Sequence, residues 1–330
     1  MAQQSRAFRI HQENDQIVAR LETVEIPDPT DGQVQVKVAY SSINYKDALA
    51  ATGAGKIIRE FPRIGGIDLA GTVVKSADGR FAQGDPVVLT GYGIGENSDG
   101  GYTEYATVSA DHLVRLPAAI DQKTAMAIGT AGFTAALSVH RLEQIGVKPP
   151  AGTILVTGAT GGVGSMAIDM LAGSGYSVAA FTGKTGEEDY LRELGASEIV
   201  DRNSLEMGSR PLEKGLWAGA VDSVGGDTLG WLTRTVQPWG AIASCGLAGG
   251  IKLETTVMPF IVRGVNLLGI DSVLCPMPIR QAVWGRLATN LMPKHLDSIV
   301  RTVSLDELPD QFDAFLKGTV RGRTVVSIGG

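Results

Sequence analysis

Ile154-Leu155-Val156-Thr157-Gly158-Ala159-Thr160-Gly161-Gly162-Val163-Gly164 is the stretch on which the reading of this chain turns. A β-branched and aliphatic run enters a glycine cluster, and a segment with helical apolar spacing, Ser165 to Leu171, leaves it. That order is strand, tight turn and helix, the opening of a βαβ unit. The glycines have separate tasks in such a turn. One permits the reversal, one lets a pyrophosphate approach the backbone, and Gly164 lets the helix pack close to the strand. Phosphate would then meet the free N–H groups and the positive end of the helix dipole. Thr160, Gly161, Gly162 and Val163 are therefore expected to hold a dinucleotide.

Downstream, strands and helices alternate: strand 177–181, helix 187–194 and strand 198–200, then strands at 218–222, 240–244 and 265–270. With strand 153–157 and helix 163–172 this describes a doubly wound parallel sheet of six strands. Upstream, the first part of the chain reads as β-rich. Gln33-Val34-Gln35-Val36-Lys37-Val38 alternates polar and apolar, and further short strands follow glycine turns near Gly71, Asp85 and Gly100. Their spacing suggests an irregular antiparallel barrel. After Pro117 the chain becomes Ala-rich, with a helix expected from Thr124 to Val139. A helix at 278–291 and a strand from Thr324 to Ile328 should return to the first domain. The expected division is 1–124 with 273–330 for the β-rich domain and 125–272 for the nucleotide-binding one.

Composition narrows the function. The chain has 330 residues, 44% hydrophobic and 19% charged, the balance of a globular protein of two domains. A formal charge of −6 offers no basic field for nucleic acid. No stretch is long and apolar enough to span a membrane, and Met1-Ala2-Gln3-Gln4-Ser5 leads into no signal-peptide core. Two cysteines, Cys245 and Cys275, provide no disulfide framework, which suits a cytoplasmic protein.

The end of the second parallel strand selects the cofactor. A site for NAD carries an Asp or Glu there to accept the ribose hydroxyls. Here Ser177-Val178-Ala179-Ala180-Phe181 ends in Thr182-Gly183-Lys184, with no acid at the tip. Thr182 offers a hydroxyl, Gly183 a backbone N–H and Lys184 an ammonium. Arg202, after the third strand, can supply a second charge for a 2′-phosphate. The expected cofactor is NADPH.

Other segments carry a resemblance. Gly84-Asp85-Pro86-Val87, Gly100-Gly101-Tyr102-Thr103-Glu104-Tyr105 and the glycine fingerprint, in this order, resemble a medium-chain dehydrogenase/reductase over the whole chain. Ser41-Ser42-Ile43-Asn44-Tyr45-Lys46-Asp47-Ala48-Leu49, Lys56-Ile57-Ile58-Arg59-Glu60-Phe61-Pro62 and Gly65-Gly66-Ile67-Asp68-Leu69-Ala70-Gly71 resemble the NADPH-dependent acryloyl-CoA reductase subgroup of its quinone-oxidoreductase-like members. The resemblance implies a GroES-like barrel domain beside a Rossmann domain. It also implies cofactor contacts at Tyr45, Leu247, Ile261 and Ser272, and reduction of the activated C=C bond of a small enoyl-CoA. Zinc members of the superfamily carry ligands where this chain has Asn44, Ile67 and Thr130. Isoleucine cannot ligate, and Asn and Thr are poor zinc donors, so no metal is expected.

Without a Lewis acid the acceptor must already be electron-poor, and the protein must supply donors for the developing enolate oxygen. The resemblance places Tyr45 beside the nicotinamide, Asn44 at the vacated metal position and Arg323 near the cleft, and these are the expected catalytic residues. Lys46 and Asp47 are expected to form a supporting hydrogen-bond or ionic pair. Lys56, Arg59 and Arg63 are the cations available for the phosphates of CoA. The alternatives are a quinone or 2-alkenal reductase and a non-enzymatic NADPH-binding protein. Val265-Asn266-Leu267-Leu268-Gly269-Ile270, an apolar edge strand, suggests a homodimer.

Overall fold

The structure, a computed structural model, describes residues 3–329. One unit contains the residues up to Thr130, Val273–Gln281 and those from Val300 onward; the other contains Ala131–Ser272 and Ala282–Ile299. The first unit begins with a hairpin of β1 (Gln3–Glu13) and β2 (Gln16–Ile26). Asn14 and Asp15 turn it with φ of 49° and 62°, the positive values that match the twist of paired strands. β3 (Gln33–Ile43), α1 (Tyr45–Thr52), β4 (Arg63–Ile64), β5 (Asp68–Ser76), β6 (Pro86–Thr90), β7 (Tyr105–Ser109) and β8 (Val114–Arg115) follow. The alternation at the start of β3 puts Val34, Val36 and Val38 in the core and Lys37 in solvent. Gln35 is buried too, and donates from Nε2 to the Pro27 carbonyl at 3.1 Å.

In the second unit the parallel sheet is as the fingerprint implies. After α2 (Gln122–Gln144) come β9 (Thr153–Thr157), α3 (Gly162–Gly173), β10 (Ser177–Thr182), α4 (Glu188–Glu193), β11 (Glu198–Asp201), β12 (Trp217–Asp222), α5 (Gly226–Thr235), β13 (Val236–Ser244), α6 (Met258–Val262) and β14 (Asn266–Gly269). The six strands lie in the order β11-β10-β9-β12-β13-β14. Strand order reverses between β9 and β12, and the crevice at such a switch point is where nucleotides bind. Phe181 stacks on Trp231 at 5.4 Å in the core below, worth about 0.5–1.5 kcal/mol beyond burial.

The chain then runs through α7 (Met277–Leu287), α8 (Leu296–Ile299), β15 (Val300–Ser304), α9 (Phe312–Leu316) and β16 (Arg323–Ser327). β16 inserts between β15, to which it is parallel, and β3, to which it is antiparallel. The domain boundaries differ from the expected ones at two points. The first unit extends to Thr130 rather than 124, and residues 282–299 belong with the parallel sheet. The second difference has clear causes. Trp284 stacks on Phe133 at 6.2 Å, Arg286 pairs with Glu143 at 2.7 Å, and buried Asp169 accepts the N–H groups of Lys294 and His295.

Candidate active site and dinucleotide cradle

The cradle is built at the C-terminal end of β9. Gly158 turns the chain with φ of 59°, and Gly161 N-caps α3 in extended conformation. A Cβ on Gly158 would stand 2.5 Å from the Ser223 hydroxyl. One on Gly164 would meet the Gly158 carbonyl and lie 2.7 Å from the Ala159 Cα, so helix and turn approach only because the side chain is missing. The first-turn N–H groups of α3 have no intrahelical acceptor and face the turn, as a phosphate requires. Across the switch point Thr157 donates to Asp222 at 2.6 Å, while the Ser223 hydroxyl donates to the Thr157 carbonyl at 3.1 Å. Burial pushes the Asp222 carboxyl above its ordinary range, against the pull of Thr157, Gly225 and Val224.

At the tip of β10 the expected residues come together. The Lys184 N–H donates to the Thr182 hydroxyl at 3.1 Å, and Arg202 N–H donates to the Thr182 carbonyl at 2.8 Å, prolonging the β10–β11 pairing by one residue. Asn203, which the sequence reading did not single out, donates from Nδ2 to the Gly183 carbonyl at 2.9 Å. Leu247 lies past the C-terminal end of β13 and is 59% exposed, and Ser272 accepts from Thr134 at 2.8 Å. Ile261, the remaining expected contact, is 75% exposed. It lies on α6, in a groove with Pro238 and Trp239 near the entry ends of β13 and β14. The glycine turn is at the opposite, C-terminal ends of these parallel strands.

The polar cluster of the first unit is organised by a residue the sequence reading passed over. Asp68 is fully buried at the start of β5. Its Oδ2 accepts Ser42 Oγ–H at 2.6 Å, Asn44 Nδ2–H at 2.9 Å and the Thr130 N–H at 2.9 Å, while Oδ1 accepts the Thr130 hydroxyl at 2.6 Å. The Thr130 N–H meets this carboxylate where Gly129, with φ of 50° and ψ of −159°, breaks α2. Arg323 lies alongside, its Nη2 3.9 Å from the same carboxylate.

Arg323 was expected near the cleft, holding a carboxylate, a phosphate or a loop carbonyl, or stapling the terminal strand. It is buried, and its donors are engaged internally: Nε to the Ala127 carbonyl at 3.2 Å, Nη1 to the Ile43 carbonyl at 3.3 Å and Asn44 Oδ1 at 3.0 Å, and Nη2 to Ser42 Oγ at 2.8 Å. It orients other groups and does not reach outward. Asn44 is fixed without ambiguity, since a guanidinium can only donate and a carboxylate can only accept. One Nδ2 hydrogen goes to Asp68, Oδ1 faces Arg323, and the amide also lies against the Asp47 carboxyl, which it helps to hold down. Tyr45, the first residue of α1, is 47% exposed, and its hydroxyl has no hydrogen-bond partner among the described residues.

The Lys46–Asp47 pair does not form. Lys46 Nζ pairs with Glu96 at 2.8 Å, because successive residues of a helix face different ways. Asp47 turns inward, accepting the N–H of Asn44 at 2.8 Å and of Ile67 at 3.0 Å. Burial first, then the charge of Asp68, push its carboxyl up to about 7 despite those N–H donors. Each histidine has its own protein neighbour: Glu22 for His11, Tyr92 for His112, Gln144 for His140 and Asp169 for His295. No group of three or more His, Cys, Asp or Glu among the described residues could hold a metal ion. Arg63 pairs with Asp99 at 3.5 Å, whereas Lys56 and Arg59 are exposed and in no ion pair among the described residues.

A model of the alcohol dehydrogenase GroES-like domain matches residues 30–118, and a model of zinc-binding dehydrogenases matches residues 162–288. The Bacillus subtilis (strain 168) protein named "Putative quinone oxidoreductase YhfP" is 51% identical over 325 residues, 98% of each chain. The acrylyl-CoA reductase AcuI of Ruegeria pomeroyi is 47% identical over 318 residues, 96% of each chain. The chain belongs to the medium-chain dehydrogenase/reductase family. Two solved structures of that family set a useful contrast. The YhdH oxidoreductase of Salmonella enterica, in complex with NADP, has a TM-score of 0.94 at 48% identity, covering 98% of this chain and 99% of that one. YhfP with NAD bound has a TM-score of 0.96 at 49% identity, covering 99% and 100%. Medium-chain dehydrogenase/reductases this similar have thus been crystallised with either nucleotide.

Proposed function

We propose that the chain uses NADPH to reduce the activated C=C bond of acryloyl-CoA or a similar short enoyl thioester. The observation that carries this is the unengaged hydroxyl of half-exposed Tyr45, next in sequence to an Asn44 amide held in place by Asp68 and Arg323. Such a donor suits a carbonyl oxygen that gains charge as a conjugated double bond is reduced. The names of relatives at 47% identity support the same substrate class. NADPH, when bound, supplies the hydride to the β-carbon. The helix α3 N-terminus holds the pyrophosphate, and Lys184 and Arg202 answer the 2′-phosphate. Tyr45 donates to the thioester oxygen and passes a solvent proton to the α-carbon.

The name of YhfP favours a second reading, a quinone reductase with the same hydride donor and a smaller acceptor. Rates with acryloyl-CoA, free acrylate and a quinone separate the two. Preference for the thioester with NADPH is the expected result. In the same assay Lys184→Ala and Arg202→Ala should each raise the KM for NADPH about tenfold or more, because hydrogen bonds to a charged group contribute roughly 1.5–3 kcal/mol. Turnover of the quinone alone would overturn the substrate assignment, and none with any acceptor would point to a nucleotide-binding protein without catalysis.

The functional form in this reading is a homodimer. β14 is an edge strand, and Trp239, Val257, Ile261 and Val262 near it are 80%, 66%, 75% and 62% exposed. Pairing of β14 with its two-fold copy would extend the sheet and cover these side chains. Light scattering at micromolar concentration should give twice the 34.6 kDa chain mass. A monomer mass would overturn the assignment.

A further inference from the structure

We infer that Gly183 sets the cofactor preference through the side chain it lacks, the vacant Cβ position being the seat of the Arg202 guanidinium. This rests on the NADPH reading above and adds to it a residue whose role is steric. An ideal Cβ on Gly183 would lie 2.6 Å from Arg202 Nη2, 2.9 Å from Nε and 3.0 Å from Cζ. The guanidinium thus lies flat on the backbone at the tip of β10, where the ribose end of the nucleotide is expected. Any larger residue at this position would push it aside.

Two further contacts hold the arrangement. Arg202 N–H donates to the Thr182 carbonyl at 2.8 Å, so the backbones of the two residues are paired. The Gly183 carbonyl is pinned by Asn203 Nδ2 at 2.9 Å, which keeps the turn from swinging away from the guanidinium. The one carboxylate at the end of β11, Asp201, accepts the N–H of Asn203 at 2.8 Å. Gly183 is not among the glycines with positive φ, so nothing in the backbone demands glycine here. The demand comes from Arg202.

That separation makes the test clean, since Gly183→Ala should fold normally and displace only a flexible side chain. Dissociation constants for NADPH and NADH, measured by nucleotide fluorescence, need no acyl substrate. Gly183→Ala should weaken NADPH binding about tenfold, as loss of a charged hydrogen bond does, and leave NADH nearly unchanged. Arg202→Ala should do the same. The double variant should be no weaker than Arg202→Ala alone within about twofold, because the two changes remove one interaction. Additive losses, or equal losses for both nucleotides in Gly183→Ala, would overturn the role of Gly183 while leaving the NADPH reading intact. Wild-type protein that binds NADH as tightly as NADPH would overturn both.

Discussion

Tyr45→Phe should lower kcat about a hundredfold while changing the affinity for NADPH little. Removing a single donor to a developing oxyanion typically costs ~3 kcal/mol in the transition state. The side chain is half-exposed and its hydroxyl has no protein partner, so losing the oxygen leaves no buried polar group behind. The fold should be unaffected, and the loss should fall on kcat rather than on stability. Steady-state kinetics of the two proteins, with NADPH binding measured separately, check this. A kcat unchanged within about twofold would mean that Tyr45 only packs against its ligands, and that the proton arrives by another route.

Arg323→Met should cost about 3–5 kcal/mol of stability, the usual penalty for removing one partner of a buried charged pair. Methionine keeps much of the volume, so the loss is electrostatic rather than a cavity. Asp47 and Asp68 would then be buried with no cation beside them. The deficit should also depend on pH. Asp47 has its carboxyl raised to about 7 in the folded protein, against an ordinary value of 3.8. A raised carboxyl makes the folded state bind the extra proton, so its contribution is favourable at low pH and is lost as pH rises through this window. Without the guanidinium that carboxyl should rise further, and the variant should lose more stability relative to wild type at pH 8 than at pH 5. Urea unfolding at the two values measures this, and an equal or smaller deficit at the higher value would contradict it.

The parallel sheet was legible because the glycine fingerprint and the alternation after it are local signals, each set by residues adjacent in sequence. The tip of β10 was legible for the same reason, since the missing acid and the presence of Lys184 lie within a few residues of the strand. Asp68 was not. It lies inside a quoted motif, but its neighbours Ser42, Asn44, Thr130 and Arg323 come from three distant places, and only the fold brings them together. Arg323 was picked as a site residue, yet nothing in Gly322-Arg323-Thr324 says that its donors are already engaged. Residues 282–299 were assigned to the wrong unit because their partners, Phe133, Glu143 and Asp169, are more than a hundred residues upstream. Around Ile261 the sequence says less: helix α6 is short and gives no sign of which end of the sheet it serves.

The placement of Arg323 has a consequence for biosynthesis. It lies on the strand that fills the gap between β15 and β3, made after every strand of the parallel sheet. Until that strand is made, Asp47 and Asp68 lack this counter-charge, and β3 has no neighbour on that side. The parallel sheet of residues 153–269 is complete long before. The parallel sheet can therefore form ahead of the sheet that β16 completes.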